Sequence, residues 1–176
     1  MAGVIGVICF IVSFQIKSNA ALYLMQMLGS AALGVQYLLL EAYSGCIIVV
    51  IVIVRNLFLL KINDWEIVQW KGWVVIVIAI SAAATAFIWE GIEDIFSFLA
   101  VAGGTIGLWT NNAQKIRLAN LVCGSPSWLI YDILVHAWAG VLNEIIVLSS
   151  ILISIYRFGW KNMGENTEFV KGRSEK

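Results

Sequence analysis

The sequence predicts an all-α integral membrane fold with seven transmembrane helices, and three observations predict it. Apolar residues make up 61% of the chain and charged residues 12%, with a mean hydropathy of +0.90. That leaves too little charge to cover a soluble domain. The apolar residues gather into seven segments, 3–16, 21–40, 46–60, 72–89, 95–109, 118–135 and 139–156, and about 20 such residues cross a bilayer. Drawn as successive spans, they put all 11 Lys and Arg residues on one face: Lys17, Arg55, Lys61, Lys71, Lys115, Arg117, Arg157, Lys161, Lys171, Arg173 and Lys176. The other face receives Glu41, Glu90, Glu93, Asp94 and His136. Basic residues near span ends stay cytoplasmic, so the N-terminus is expected outside and the C-terminus inside. A net charge of +0 conceals this segregation.

In segment 3–16 no basic residue comes first and Lys17 follows, the reverse of a signal-peptide layout, so it reads as a retained, short first span. Segment 21–40 has full length and contains Gly29-Ser30 and the polar pair Gln36-Tyr37. Segment 46–60 is short and carries Arg55 and Asn56 on the cytoplasmic side of its centre. Segment 72–89 has Trp73 and Trp89 at the two headgroup levels. Segment 95–109 is also short, which implies little tilt or a locally thin bilayer. Segment 118–135 is interrupted by Asn120, Ser125, Pro126, Ser127 and Asp132, but without it Arg117 and Arg157 would face opposite compartments. Pro126, the single proline, removes a backbone hydrogen bond and is expected to kink this helix as a hinge. Segment 139–156 carries Asn143 and Glu144 several residues from its outer end. Short connections make successive helices antiparallel neighbours, and the polar stretch 159–176 reads as a cytoplasmic tail.

An internal repeat organises these segments. A shift of 95 residues lays the first three over the last three without a gap. Gly29-Ser30 then meets Gly124-Ser125, and Ala42-Tyr43-Ser44-Gly45 meets Ala137-Trp138-Ala139-Gly140. Three spans reverse the direction of the chain, so a fourth is needed before a second copy can run the same way. The expected organisation is 3+1+3, with a first repeat at 1–60, a linker helix at 61–93, a second repeat at 94–158 and the tail at 159–176. Parallel three-helix repeats of this kind are the plan of SWEET-type facilitators.

The chain also resembles the YgjV-like bacterial inner-membrane proteins, up to about Phe158. The resemblance is carried by Gly6-Val7-Ile8 with Phe10, the Arg55 end of the third segment, Gly104-Thr105-Ile106, Arg117, Trp128-Leu129-Ile130, Trp138-Ala139-Gly140, and Glu144 with Arg157. That family is similar to the SWEET, PQ-loop and PnuC-type carriers, which implies a seven-helix carrier fold in a bacterial inner (plasma) membrane. The chain lacks a Pro-Gln dipeptide and has Tyr131-Asp132 where family members carry His-Asn, so no substrate carries over.

Ionisable groups within a bilayer cost roughly 2.5–3.5 kcal/mol each at a helix centre, so Glu144, Asp132 and Arg55 need a reason to be there. For the two acids it is a substrate or proton-coupling role, or an interhelical anchor. For Arg55 it is substrate contact, or snorkelling to headgroups. The repeat lays Gln36 and Tyr37 over Tyr131 and Asp132, so equivalent polar pairs could meet across a pseudo-twofold axis, where a carrier of this plan holds its site. They could equally be hydrogen-bonding glue between helices. The expected substrate-binding set is Gln36, Tyr37, Arg55, Asn56, Trp128, Tyr131, Asp132, Asn143 and Glu144, with Pro126 as hinge.

Glu90, Glu93 and Asp94 read as a solvated outer cap, and Arg117 and Lys115 as headgroup contacts. Cys9, Cys46 and Cys123 read as small buried hydrophobes, and lone His136 has no companion for a metal. No nucleophile elbow, P-loop, dinucleotide or metal motif is present, and no basic stripe suits nucleic acid. Neither enzyme activity nor a cofactor is expected. The partners expected are the lipid bilayer and a small-molecule substrate, and a homo-oligomer is compatible. The leading function is a small-solute transporter or facilitator; the alternative is a non-transporting structural or regulatory membrane protein that binds a partner.

Overall fold

Side chains this apolar leave the backbone to satisfy its own hydrogen bonds, and a helix does so within one segment. The computed structural model describes residues 2–13, 19–61, 65–110 and 113–158, and is helical almost throughout. The elements are α1 (Ala2–Ser13), α2 (Asn19–Leu39), α3 (Tyr43–Leu59), α4 (Glu66–Gln69), α5 (Gly72–Phe87), α6 (Glu93–Leu108), α7 (Ala113–Ala119), a π-helical segment (Asn120–Gly124), α8 (Ser125–Leu134) and α9 (Trp138–Phe158). The expectations for Lys17 and the tail lie outside the described residues. Among those described, no helix is long and apolar enough to cross a membrane; α3, α5 and α6 have 17, 16 and 16 residues against the roughly 20 of a full span. The short helix α4 lies where the sequence suggested only a connection.

The sixth apolar segment is one helical run, α7 to α8, rather than a simple kinked helix. Pro126 would clash with the carbonyl four residues before it. The turn ahead of it is widened, with the Ser125 N–H donating to the Asn120 carbonyl five residues back. A π-segment of this kind absorbs a proline without breaking the helix.

Helix α1 packs on α2 and α2 on α3; α6 packs on α8 and α8 on α9. The two groups meet through α1 with α9 and through α3 with α6, while α5 lies against α3 and α6. At Gly6 a Cβ would come within 3.0 Å of the Gly29 carbonyl, so this glycine permits the close approach of α1 to α2.

The α2–α3 and α8–α9 corners share one backbone design. In each, a residue after the helix takes a left-handed φ, Glu41 at 59° and His136 at 58°. The N–H of Ala42 reaches back to the Tyr37 carbonyl, and that of Ala137 to the Asp132 carbonyl, at 3.0 and 2.8 Å. Glu41 N–H to Leu38 and His136 N–H to Ile133 complete two Schellman caps. One core cluster contains Leu33, Tyr37, Ala42, Val49, Tyr131 and Ala137, so both corners sit at the same end of the bundle. The outward surface is strongly apolar, with Val4, Ile8, Leu28, Val75, Phe87, Ile92, Val122 and Leu152 all more than half exposed. Apolar surface on this scale marks a face that meets lipid or another protein.

Candidate functional site

A half-open cavity of about 420 Å³ lies between the two groups of helices. Each helix lining it contributes a stripe spaced by three or four residues, one face of a helix. Ser30, Leu33 and Tyr37 come from α2; Val49, Val52, Arg55 and Asn56 from α3; Ala100, Val101, Gly104 and Leu108 from α6. The α7–α8 run supplies Ile116, Arg117, Asn120, Gly124, Ser125 and Trp128, and α9 supplies Asn143, Glu144, Val147, Ser150 and Ile151.

The corner end of the cavity is closed by polar and aromatic groups. The Tyr37 hydroxyl donates to Asp132 Oδ1 at 2.6 Å, between residues 95 positions apart. The Tyr131 hydroxyl meets Ser44 Oγ at 3.1 Å and the Gly45 backbone. Trp128 stacks on Tyr37 with centroids 6.0 Å apart, and Tyr131 stands edge-on to both rings at 5.6 and 5.7 Å. Two glycines make the room. A Cβ on Gly45 would fall on the Tyr131 ring, and one on Gly140 on the Asp132 carboxylate. Gln36 lies beside them against Gly3 and Ala139, and its buried Oε1 has no hydrogen-bond partner.

The remaining polar groups are distributed along the cavity. Glu144 accepts from Asn143 Nδ2 at 3.1 Å and is hydrogen-bonded by the Ser125 side chain. Arg55 donates through Nη1 to Thr105 Oγ1 at 3.1 Å and through Nε and Nη2 to Asn56 Oδ1 at 3.3 and 3.2 Å. Its Nη1 would lie 3.6 Å from a Cβ on Gly104. Gly124 leaves space for Asn120, whose Oδ1 would stand 2.7 Å from a Cβ there.

The structure thus brings Tyr37, Trp128, Tyr131 and Asp132 together at the closed end, with Gln36 at its edge. Arg55, Asn56, Asn143 and Glu144 line the space beyond. Four expectations are corrected. Arg55 does not snorkel: it is 8% exposed, and Thr105 and Asn56 accept hydrogen bonds from its guanidinium. Arg117 is half-buried at the cavity wall rather than only at a surface. Asp94 is not part of a solvated cap. It is fully buried, with Oδ2 accepting the Glu90 and Gly91 N–H groups at 2.7 and 3.3 Å, so it folds the α5–α6 turn. The three cysteines are free and half-buried rather than fully buried, with Cys46 packed against the core cluster.

Glu90 accepts backbone N–H groups of Tyr43 and Ser44. Desolvation, then the Asp94 charge, raises its pKa above the ordinary carboxylate value while those N–H groups pull it down. Sequence reasoning missed Ser44, Thr105 and Asp94. The first two are small hydroxyls, Ser44 in the connection between two apolar segments and Thr105 inside one, and their roles depend on partners far along the chain.

Comparison with protein families matches the chain to the YgjV family, described as bacterial inner membrane protein, over residues 1–162. No curated protein and no solved structure matches. The chain belongs to the YgjV family of bacterial inner membrane proteins.

Proposed function

We propose that this chain is a multi-pass inner-membrane carrier that moves a small polar solute through the cavity between two like-oriented helical units. The first unit is α1–α3 and the second is α6–α9, with α5 as linker in a 3+1+3 plan. In this reading the apolar exterior faces lipid, the N-terminus is outside and the basic span ends are cytoplasmic. The observation that carries the proposal is the cavity. Its volume of about 420 Å³ lies within the roughly 300–1,000 Å³ of small-molecule sites. Both groups of helices supply polar lining, and the Tyr37–Asp132 contact closes one end. Rocking one unit against the other would open that contact and close the far end.

The test begins with a thermal-shift screen of the purified protein against sugars, vitamins, amines and nucleosides, since a ligand that binds the folded state stabilises it. Uptake of any hit is then measured in proteoliposomes. Asp132→Ala and Glu144→Ala should abolish uptake while the protein still reaches the membrane. Normal uptake by both variants would remove the proposed site.

A second reading has its own observation. Asp132 and Glu144 each hold a protein partner, Tyr37 and Asn143, as a non-transporting scaffold or regulator would require. Such a protein would engage its partner through residues 161–176. Deleting them should then remove function in cells, whereas a carrier should tolerate the loss.

A further inference from the structure

We infer that the solute is dipolar, a small zwitterion whose cationic end meets Glu144 and whose anionic end meets Arg55 and Arg117. The inference rests on the carrier reading above. Three charged side chains line the cavity, and their signs are segregated along it. Glu144 sits six residues into α9 from Trp138, whereas Arg55 sits twelve residues into α3 from Tyr43. Both helices start at the corner end. At about 1.5 Å per residue, Arg55 is therefore roughly 9 Å farther from that end than Glu144. Arg117 lies farther still, on α7, a helix that precedes the whole of α8. Asp132 is outside the lining and bonded to Tyr37.

With Glu144 ionised, the field inside runs from negative near the closed end to positive toward the other. A neutral polyol answers neither pole, a simple amine must pass two arginines, and a simple anion ends beside a carboxylate. A molecule with both charges meets each pole in its own direction. Each pole is also built to hold its position. Asn143 and the Ser125 side chain orient the Glu144 carboxylate. Trp128 lines the cavity six residues from the corner end of α8, the depth of Glu144 on α9, and can offer its ring to an ammonium group. At the other pole Thr105 and Asn56 fix the plane of the Arg55 guanidinium.

The experiment is a thermal-shift and calorimetric series on the purified full chain in detergent. Glycine, 4-aminobutyrate and 6-aminohexanoate are compared with butylamine, butyrate and glycerol. At least one amino acid should raise the unfolding temperature by several degrees, while butylamine, butyrate and glycerol leave it unchanged. Glu144→Gln and Arg117→Gln should each weaken that binding by about tenfold or more. Arg117 is half-buried, so its variant should fold normally and keeps the test decisive should Glu144→Gln prove unstable. If glycerol or a singly charged compound binds as well as the amino acids, the dipolar assignment is overturned and the carrier reading stands. If none of these compounds binds but a sugar or nucleoside does, the result is the same. If no solute of any class binds, both fall together.

Discussion

The α2–α3 corner and the α8–α9 corner have the same backbone and different side chains. The helix ends at Leu39 and Leu134, the left-handed residues Glu41 and His136, and the next helix starts at Tyr43 and Trp138 all keep the spacing of the Tyr37–Asp132 pair. The cavity stripes keep it too: Ser30 with Ser125, Leu33 with Trp128, Val49 with Glu144, Val52 with Val147, Arg55 with Ser150 and Asn56 with Ile151. Only the serine and valine pairs retain their residue type. Where one copy is charged, the other is aliphatic or a small hydroxyl. Similar corner geometry with different side chains gives the cavity a direction, and under the carrier proposal a symmetric lining could not tell one end of a solute from the other.

The most damaging way to break the comparison is at its axis. Tyr37→Phe would leave the buried Asp132 without its hydroxyl donor, and leaving a buried polar group unsatisfied destabilises by about 1–3 kcal/mol. Thermal unfolding in detergent would read this. The exchanged pair, Tyr37→Asp with Asp132→Tyr, sharpens the point. If a pseudo-twofold axis relates the two corners, the exchange should recover most of the loss, but not the ring stack. Trp128 faces Tyr37, whereas its counterpart Leu33 would face the moved tyrosine, a difference of about 0.5–1.5 kcal/mol. A swapped protein no more stable than Tyr37→Phe would mean that the two positions are not interchangeable.

Next in size are the corner glycines. Gly140→Ala and Gly45→Ala drive a methyl into Asp132 and Tyr131 respectively, and overpacking of this kind costs about 1–3 kcal/mol. Gly104→Ala is the control. The nearest atom to its Cβ would be Arg55 Nη1 at 3.6 Å, an ordinary contact within α6, so the better helix propensity of alanine should stabilise by up to about 1 kcal/mol. Equal losses at all three positions would show that helix flexibility, rather than the seats for Tyr131 and Asp132, governs these glycines.

These glycines also show what could be read before the structure. The all-helical class followed from composition, and the 95-residue spacing shared by the two corners followed from Gly-Ser and the Ala-aromatic-small-Gly landmark. Gly45 and Gly140, 95 residues apart, each leave room for a side chain of α8, Tyr131 and Asp132 respectively. Aligning Gln36-Tyr37 with Tyr131-Asp132 pointed to a meeting of the two pairs, and Tyr37 and Asp132 are in contact. What stayed hidden depended on distant partners. Arg55 turns inward because of Thr105, 50 residues away. Asp94 is buried because the turn at Glu90 and Gly91 bends back over it. The proline announced a disturbance at Pro126, but whether a helix kinks or widens into a π-turn is settled by packing, with Gly103 accommodating Cys123 and Gly124 accommodating Asn120.

The smallest expected effect tests the backbone identity of the corners without touching their side-chain chemistry. Glu41 and His136 hold φ values of 59° and 58°, a conformation that costs a residue with a Cβ about 1–2 kcal/mol and glycine almost nothing. Glycine also gives the unfolded chain more freedom, which removes up to about 1 kcal/mol of that gain. Glu41→Gly and His136→Gly should therefore each stabilise the fold by less than about 1 kcal/mol, and by the same amount. Glu41 is exposed and His136 stands 6.2 Å from the Trp138 ring, a contact too loose to shift the balance. Because each Schellman cap is closed by its own hydrogen bonds, the double variant should show the sum of the two gains. A gain at one corner and a loss at the other would mean that equal φ angles conceal different supports, and that the two corners are not mechanically equivalent.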